Sequence, residues 1–400
     1  MDLRSGYPYW LVAHGLPQTY PPLASDIGCD VAIIGAGITG ALIAHHLIDA
    51  GLDTVVLDKR DVAWGSTSAT TGLIQYEIDT PLRELAGLVG EDHAVRSYRA
   101  AWSAIDKLEA IALQVGAECG FRRRQSVQLA SRKEDVTGLR DEHALRKRHG
   151  FRVEWLSDRD LRGRFPFRKP GALLTHDAAD IDPYAMTYAL LARGTKYGLR
   201  VFDRTEVMRF EPAGAGIRLH TDRGHVATAD HVVFATGYES EQYLKHRVGQ
   251  LVSTYAIASE PLESLDAWFE QCLIWETANP YLYLRTTIDG RAMIGGEDED
   301  FVDARRRDRL IARKARVLER KFRRLFPSIA FETAFAWAGT FAHTKDGLPY
   351  IDRSPEMENT NVALCYGGNG ITYAVLAGEI IRDQILGNKN ENADLFRFGR

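Results

Sequence analysis

The pattern of apolar and polar positions is clearest near the start of the chain. Cys29 to Ile34 is a short apolar run with β-branched residues, which is typical of a buried parallel strand. A glycine-rich turn comes next, then a helical pattern from Ile38 to Ala50 that ends at Gly51, and then a strand pattern from Thr54 to Leu57. This order of strand, turn, helix and strand predicts the first unit of a parallel α/β sheet.

The turn has the spacing G-x-G-x-x-G over residues 35–40. In such a turn Gly35 permits the tight bend, Gly37 lets a pyrophosphate approach the backbone, and Gly40 lets helix and strand pack closely. Asp58 stands at the end of the next strand, where a carboxylate can accept hydrogen bonds from an adenosine ribose. The glycine turn and Asp58 together predict a dinucleotide-binding site. The alternative is a glycine-rich turn that binds no ligand. It does not distinguish NAD from FAD, since both carry an ADP half.

Further along the chain, periodicity predicts a mixture of helices and strands. Helical spacing predicts helices over 82–114, 133–149 and 304–326, and another that begins at Asp182-Pro183. Strands are predicted over 121–131 and 232–235, and a hairpin over 217–219 and 225–228. The stretch WAGTFAHTKDGLPYID, residues 337–352, has too much glycine and proline for a helix and too little alternation for an ordinary strand. We therefore expect it to be irregular.

Charge gives no case for a nucleic-acid partner. The net charge is −4 and the isoelectric point is near 6.3. The predicted helix 304–326 carries eleven Lys or Arg residues, which on their own would suggest a nucleic acid or a membrane surface. Its apolar residues repeat at helical spacing, at Ile311, Ala315, Leu318, Phe322 and Leu325. We therefore expect one face in the core and the arginines in solvent.

The cysteines and the N-terminus bear on compartment and metal binding. Four cysteines lie far apart at positions 29, 119, 272 and 365, without metal-ligand spacing. We expect free thiols in a reducing compartment, hence a cytoplasmic protein without a metal site. No secretory signal is visible, and Val31 to Ile48, although free of Asp, Glu, Lys and Arg, contains three glycines and His45-His46. That stretch fits strand, turn and helix better than a membrane span.

Four motifs in order give the chain a family resemblance. They are GAGITG with Asp58, the small-residue loop WGSTSATTG, the strand end FATGY, and the closing pair WAGTFAHTKDGLPYID and CYGGNGITYAVLAGEIIRDQI. With these, the chain resembles the FAD-dependent amine and amino-acid oxidoreductases of the D-amino-acid oxidase superfamily, which includes glycine oxidase and sarcosine oxidase. The last two motifs are the most specific, and they favour FAD over NAD.

The resemblance implies an α/β fold with a discontinuous, Rossmann-like FAD-binding domain. That domain would be assembled from 25–90, 165–245 and 334–390. Residues 91–164 and 246–333 would form an α+β substrate domain whose mostly antiparallel sheet roofs the flavin. Residues 1–24 would be an N-terminal strap, with a docking arm for a partner as the alternative, and 391–400 a C-terminal tail.

The resemblance also implies which residues hold the cofactor. Ser66 and Thr67 would face the pyrophosphate and flavin, and Val207 the adenine. Residues 368–372 would begin the last helix, whose N–H groups face the flavin edge where negative charge builds on reduction. The full set is Gly35, Ala36, Gly37, Ile38, Thr39, Gly40, Asp58, Lys59, Gly65, Ser66, Thr67, Val207, Ala235, Thr236, Gly237, Gly339, Gly368, Asn369, Gly370, Ile371 and Thr372.

Two positions depart from the family pattern. Phe341 stands where glycine-oxidase-like members carry an arginine that grips the substrate carboxylate, and Gly339 stands where sarcosine-oxidase-like members carry a flavin-linked cysteine. We therefore expect noncovalent FAD and a substrate that is not held by that carboxylate grip. Arg285 is a candidate for a grip from another strand. His343, next to Phe341, is a further pocket candidate, although a lone histidine is more often structural.

The implied reaction is removal of a hydride from a carbon next to an amine nitrogen, which gives an imine. The electrons would pass to O2 or to a carrier, and the sequence demands no particular acid–base residue. Two alternatives stay open. The same fold could oxidise an alcohol or hydroxy acid, or the chain could be a flavoprotein subunit that needs a partner.

Overall fold

The computed structural model describes residues 1–116, 119–214, 216–245 and 247–400. The helices are Tyr9–His14 (α1), Ile38–Asp49 (α2), Leu82–Val89 (α3), Glu91–Val115 (α4), Asp135–Arg148 (α5), Asp158–Arg164 (α6), Pro183–Lys196 (α7), Ala304–Leu325 (α8) and Gly370–Leu386 (α9). The strands are Arg4–Gly6 (β1), Ile27–Ile34 (β2), Thr54–Leu57 (β3), Leu73–Ile74 (β4), Arg122–Leu129 (β5), Val153–Ser157 (β6), Gly171–Asp180 (β7), Arg200–Phe202 (β8), Val207–Ala213 (β9), Gly216–Thr221 (β10), Val226–Phe234 (β11), Gly249–Ser259 (β12), Leu273–Glu276 (β13), Tyr283–Thr286 (β14), Ala292–Glu299 (β15), Thr333–Thr344 (β16), Tyr350–Arg353 (β17) and Thr360–Leu364 (β18).

One sheet contains the predicted strand–turn–helix–strand unit. Its order is β17-β18-β11-β2-β3-β8, and β9 and β10 extend it from β11 as an antiparallel meander. The pairings from β18 to β8 are parallel, and their central strands are buried on both faces. Helices α2, α7 and α9 pack together beside this sheet. The predicted α/β class is confirmed.

The other sheet is large and mostly antiparallel. Its order is β1-β16-β12-β15-β14-β13-β5-β7-β4, with β6 paired to β7, and the pairing of β13 with β5 is parallel. One face packs on α8 through buried apolar side chains such as Leu318 and Phe322. The other face looks towards the first sheet. This arrangement agrees with the antiparallel roof implied by the resemblance.

The division into segments differs from the prediction at the short strand β4, in segment 25–90, and at two long strands, all of which belong to the antiparallel sheet. Strand β7 lies in the segment 165–245 and β16 lies in the segment 334–390, both of which were assigned to the FAD-binding domain. Both strands belong to the antiparallel sheet. The reason is that β7 pairs with β5, and β16 pairs with β12, along most of their lengths. Backbone hydrogen bonding between distant segments determines the sheet, and the sequence does not show it.

The expected irregularity of residues 337–352 holds only over 345–349, since 337–344 belong to β16 and 350–352 to β17. Residues 337–344 continue a regular strand, β16, which pairs with β1 on one side and β12 on the other. Trp337, Ala338, Gly339 and Thr340 are buried in succession. Because both faces of this strand are covered, its apolar positions do not alternate. That is why the pattern of an ordinary strand is missing.

Several predicted elements change in extent. The helix predicted over 82–114 is two helices, α3 and α4, because Gly90 between them has a left-handed φ of 87°. The strand predicted over 232–235 is the end of a longer strand, β11, which also forms the second half of the predicted hairpin. Helix α7 begins as predicted, since the Asp182 side chain accepts hydrogen bonds from two backbone N–H groups of the first turn.

The basic helix α8 has the predicted apolar face, but one of its arginines is buried. Arg307 is 0% exposed and donates to the backbone oxygen of Asp2, to Ser5 Oγ and to Thr340 Oγ1. This corrects the expectation that all the arginines are solvated. Arg307 joins the N-terminal residues to β16, against which β1 pairs. Among the described residues, no helix is long and apolar enough to cross a membrane.

Candidate active site

A single long cavity runs between the two sheets and collects most of the predicted site residues. The predicted cofactor residues that line it are Gly35, Gly37, Ile38, Thr39, Asp58, Lys59, Gly65, Ser66, Thr67, Val207, Ala235, Thr236, Gly237, Gly339, Gly368, Asn369, Gly370 and Ile371. Ala36, Gly40 and Thr372 do not line it. They lie just behind its wall. Gly40 packs against the backbone of Gly35, and Thr372 Oγ1 donates to the backbone oxygen of Gln75 at 3.3 Å.

The glycine turn is shaped by close backbone contacts. Gly35 has a φ of 113°, and a Cβ there would overlap the carbonyl oxygen of Ala235. The N–H of Ile38 at the start of α2 donates to Thr67 Oγ1 at 3.0 Å. A Cβ at Gly37 would lie 2.9 Å from that same oxygen. Glycine at these two positions thus lets the turn pack closely against Ala235 and Thr67 at the N-terminus of α2, a place suited to a phosphate.

Asp58 ties the turn to the end of β3. Its carboxylate accepts the backbone N–H of Ala36 at 2.7 Å and that of Arg60 at 2.8 Å. Burial raises the pKa of Asp58 to about 6, against the lowering effect of these two hydrogen bonds. Each carboxylate oxygen keeps a lone pair for a ribose hydroxyl. The position therefore suits the adenosine contact predicted for it.

The positive charge in the cavity is at this adenosine end. Lys59 and Arg60 both donate to Glu239, at 3.1 and 2.9 Å. Burial alone would raise the pKa of Glu239, but hydrogen bonds from Arg60, the N-terminal amine and Lys59 lower it to about 2. Among the described residues that line the cavity, Lys59 and Arg60 are the only lysine and arginine.

The start of α9 forms the next part of the wall. Asn369 Nδ2 donates to the backbone oxygens of Gln75 and Glu77, at 2.6 and 3.0 Å, and so fixes the GGNG loop against the chain after β4. The N–H of Gly368 donates to Asp79 at 3.0 Å. Residues 368–371 line the cavity, so the N-terminus of α9 lies at its wall, where a helix can stabilise negative charge on a ligand.

The cavity fits FAD by its own geometry. Ser66 Oγ is buried and has no hydrogen-bond partner among the described residues. This is expected for a hydroxyl whose partner is a bound ligand. A Cβ at Gly237 would meet no atom within 4 Å, so this backbone borders open space. Together with the glycine turn, Asp58 and the start of α9, these positions form a continuous cradle for a dinucleotide.

The inner end of the cavity is aromatic and acidic. It is lined by Thr254 from β12, Phe341 from β16, Asp79 after β4, Asp298 from β15, and three neighbouring rings, Trp275, Tyr281 and Tyr283. Phe341 thus lies where the sequence placed it. His343 does not line the cavity; its ring packs edge-on against Phe341 with centroids 4.9 Å apart. That contact corrects its status as a pocket candidate.

Arg285 is not available for a substrate, which corrects the second pocket candidate. Its side chain is 2% exposed and does not line the cavity. Nη1 donates to the carbonyl oxygens of Thr71, Gly72 and Ile181 at 2.7 to 2.9 Å, and Nη2 lies 3.4 Å from Asp180. Arg285 therefore ties the backbone before β4, at Thr71 and Gly72, to the backbone after β7, at Ile181.

Sequence reasoning missed several residues of the inner end. Asp79, Asp298, Trp275 and Tyr281 were not predicted, although the aromatic run NPYLYLR was a signal for Tyr281. Nothing in the sequence distinguishes Asp298 from its acidic neighbours, which lie on the far face of the same strand. No group of three or more His, Cys, Asp or Glu suited to a metal ion occurs in the described part of the chain.

Comparison with known proteins decides the family. A family model described as FAD dependent oxidoreductase (DAO) matches residues 30–384. The chain belongs to this family. As an FAD-dependent oxidoreductase it is 26% identical over 375 residues to glycine oxidase of Bacillus subtilis, which covers 91% of this chain and 95% of the relative. It is 25% identical over 407 residues to gamma-glutamylputrescine oxidoreductase of Escherichia coli, which covers 97% and 90%.

The fold is also that of solved relatives. The crystal structure of glycine oxidase from Geobacillus kaustophilus superposes with a TM-score of 0.77 at 20% identity, over 94% of this chain and 99% of that one. The predicted D-amino-acid oxidase superfamily and the predicted FAD cofactor are confirmed by the family match.

Proposed function

We propose that this FAD-dependent oxidoreductase oxidises an amine at the carbon next to nitrogen and produces an imine. Two relatives, a glycine oxidase and a gamma-glutamylputrescine oxidoreductase, carry amine substrates in their names. The observation that carries the proposal is the chemistry of the inner end, where aromatic rings and carboxylates meet and where no arginine or lysine is found among the described residues that line this end of the cavity. Such a wall suits a cationic or neutral amine and disfavours an anion.

FAD, when bound, supplies the acceptor for the hydride. The protein positions and shields the reacting groups. The turn at Gly35 and the N-terminus of α2 would hold the pyrophosphate, and Asp58 would accept hydrogen bonds from the ribose. The N–H groups at the start of α9 would stabilise negative charge on the flavin. The rings of Trp275, Tyr281 and Tyr283 exclude water from the inner end, and orient the C–H bond by shape.

The same geometry argues against a small α-amino acid as substrate. A carboxylate grip would require an arginine at the inner end, and Phe341 occupies the family's position for it. Arg285 cannot replace it, since its donors are engaged by backbone carbonyls. We therefore expect an amine, or an N-substituted compound larger than glycine, whose recognition does not depend on an α-carboxylate.

The test is anaerobic bleaching of bound FAD against a panel of amines, α-amino acids and hydroxy acids. We expect amines to bleach the flavin, and Phe341→Arg to shift the preference towards α-amino acids while Phe341→Leu does not. Best turnover of glycine or D-amino acids, with Phe341→Ala harmless, would contradict the proposal. Bleaching by hydroxy acids alone would favour the alcohol-oxidising alternative.

Peroxide detection in air separates the two electron acceptors. Peroxide formed in step with substrate would identify O2 as acceptor, and its absence would point to a carrier. A flavin that no amine bleaches until an extract is added would favour the partner-dependent alternative.

The four cysteines are unpaired, which supports the expectation of a reducing, cytoplasmic compartment.

A further inference from the structure

A break in the regular pairing of β15 turns Asp298 towards the cavity. Between β12 and β15 the register passes from Tyr255 opposite Gly296 to Ser253 opposite Glu299, so that β15 contains one extra residue. Such a bulge moves the following side chain to the opposite face of the sheet. Ile294, before the bulge, packs in the core beneath α8, whereas Asp298, after it, lines the cavity.

The bulge is specified by two unusual backbone positions. Gly296 has a φ of 132°, and a Cβ there would overlap the carbonyl oxygen of Tyr281. Glu297 has a φ of 61°, which costs free energy in a residue other than glycine. The protein thus maintains a locally unfavourable backbone here. Bulges of this kind are frequent next to active sites, where they re-aim a side chain.

The acidic neighbours of Asp298 are engaged elsewhere. Glu299 lies 2.7 Å from Lys314 Nζ on α8, and the same ammonium donates to the backbone oxygen of Glu297 at 2.8 Å. Asp298 lies between these two residues but points the other way. Its Oδ1 is buried and has no hydrogen-bond partner among the described residues. Burial raises the pKa of Asp298, against a hydrogen bond with Thr254.

The surroundings of Asp298 suit a cation. Trp275 and Tyr281 have ring centroids 6.3 Å apart, Tyr281 and Tyr283 5.8 Å apart, and all three rings line the cavity together with Asp298. Aromatic faces attract ammonium groups, most strongly where water is excluded. The second carboxylate, Asp79, already accepts the Tyr281 hydroxyl at 2.8 Å and the Gly368 N–H at 3.0 Å. Of these two carboxylates beside the rings, Asp298 is therefore the one whose oxygen has no hydrogen-bond partner among the described residues.

The Asp298 carboxylate suits a substrate nitrogen that takes no part in the reaction. Loss of a hydride from carbon requires the lone pair of the adjacent nitrogen, so the reacting amine must be unprotonated. A carboxylate in contact with that nitrogen would stabilise its protonated form and oppose the reaction. An ammonium group elsewhere in the same substrate molecule does not have to lose its proton. Its contact with the carboxylate therefore stabilises the bound substrate without opposing the reaction.

We propose that Asp298, with the rings of Trp275 and Tyr283, forms a subsite for a second, non-reacting ammonium group, so that the substrate is a diamine-type cation. The inference rests on the proposed amine oxidation and specifies its substrate class. It assigns Asp298 a role in binding and specificity, with no part in proton transfer.

The experiment compares straight-chain α,ω-diamines with monoamines of the same length, by reduction of bound FAD in the holoenzyme under anaerobic conditions. In the wild type, the rate constant of flavin reduction divided by the substrate Kd should be at least roughly tenfold higher for the best diamine than for the matched monoamine. Asp298→Asn should lower this ratio for the diamine about 10- to 100-fold, mainly by raising Kd, and should lower it much less for the monoamine. Asp300→Asn is the matched control, since Asp300 is exposed and accepts a hydrogen bond from Gln250 Nε2 at 2.6 Å on the protein surface.

Retention of FAD and an unchanged visible spectrum establish that the variant is folded. If Asp298→Asn loses FAD, Asp298→Glu keeps the charge and should shift the preferred diamine to a shorter length. Equal rates for diamines and monoamines in the wild type, or an equal loss for both in either variant, would overturn the subsite while leaving amine oxidation intact. A flavin that no amine reduces would overturn the proposed function, and the subsite with it.

Discussion

Gly40 packs directly against the carbonyl oxygen of Gly35, and a Cβ at position 40 would overlap that oxygen. The contact brings α2 against the end of β2, so that the first N–H groups of the helix face the cavity. The third glycine of the motif therefore serves the packing of helix on strand. The first two, Gly35 and Gly37, are among the residues that line the cavity.

Gly40→Ala should therefore impair both folding and cofactor binding. We expect a loss of about 1 to 3 kcal/mol in the free energy of unfolding, because backbone must move to accept the methyl group. The displaced helix should also weaken FAD binding. Denaturant unfolding and flavin fluorescence titration of the apoprotein measure the two effects.

The matched control is Gly87→Ala. Gly87 is an exposed residue inside α3, and a Cβ there would meet no atom within 4 Å. This change should increase the free energy of unfolding by about 0.5 to 1 kcal/mol, because alanine favours the helix. If both alanine variants behaved alike, close packing at Gly40 would not be the reason for the glycine.

FAD affinity should depend on pH through Asp58. Its pKa of about 6 means that the carboxylate is ionised at pH 7 and becomes protonated as the pH falls below that value. The ionised form accepts hydrogen bonds from the ribose better, so FAD binding favours deprotonation. Affinity should then be level above about pH 6 and fall by up to about tenfold per unit below it.

Titration of apoprotein with FAD at several pH values provides the measurement. Asp58→Asn should bind FAD more weakly at pH 7 and lose this dependence, since its amide does not titrate. A wild-type affinity that stays constant between pH 7 and pH 5, or an Asn variant with the same slope, would exclude the role assigned to Asp58.

The flavin should be released by denaturation, because the cavity offers no nucleophile at Gly339. Cys365 is the one cysteine among the described lining residues, and burial raises the pKa of its thiol to about 12, so that it stays protonated. Acid precipitation should leave all of the yellow colour in the supernatant. Colour that pellets with the protein, and is lost in Cys365→Ser, would show a covalent link instead.

The sequence was most informative where function depends on local backbone. The turn at Gly35, the acid at Asp58 and the start of α9 were all predicted, because each combines a short motif with a fixed strand or helix beside it. Even so, the motif did not separate residues that line the cavity from those behind it. Ala36 and Thr372 carry the pattern, but their side chains face away.

The inner end was predictable only in part. Phe341 was identified from its departure from a family pattern, whereas Arg285 was assigned wrongly, because its partners come from three carbonyls in two distant segments. Asp298 could not be found at all. Its direction depends on one extra residue in the pairing of β15 with β12, and register is a property of two strands together.

By itself, the sequence determined the dinucleotide-binding unit, the FAD family and the absence of an arginine at position 341. Only the tertiary structure decided which sheet β7 and β16 join, that Arg285 supports the backbone, and that Asp298 faces the cavity. The physical reason is the separation along the sequence of the residues that interact. Turns, caps and glycine contacts are set by neighbours along the chain, whereas burial, strand register and the remaining partners of a charged side chain are set by segments that meet only when the chain has folded.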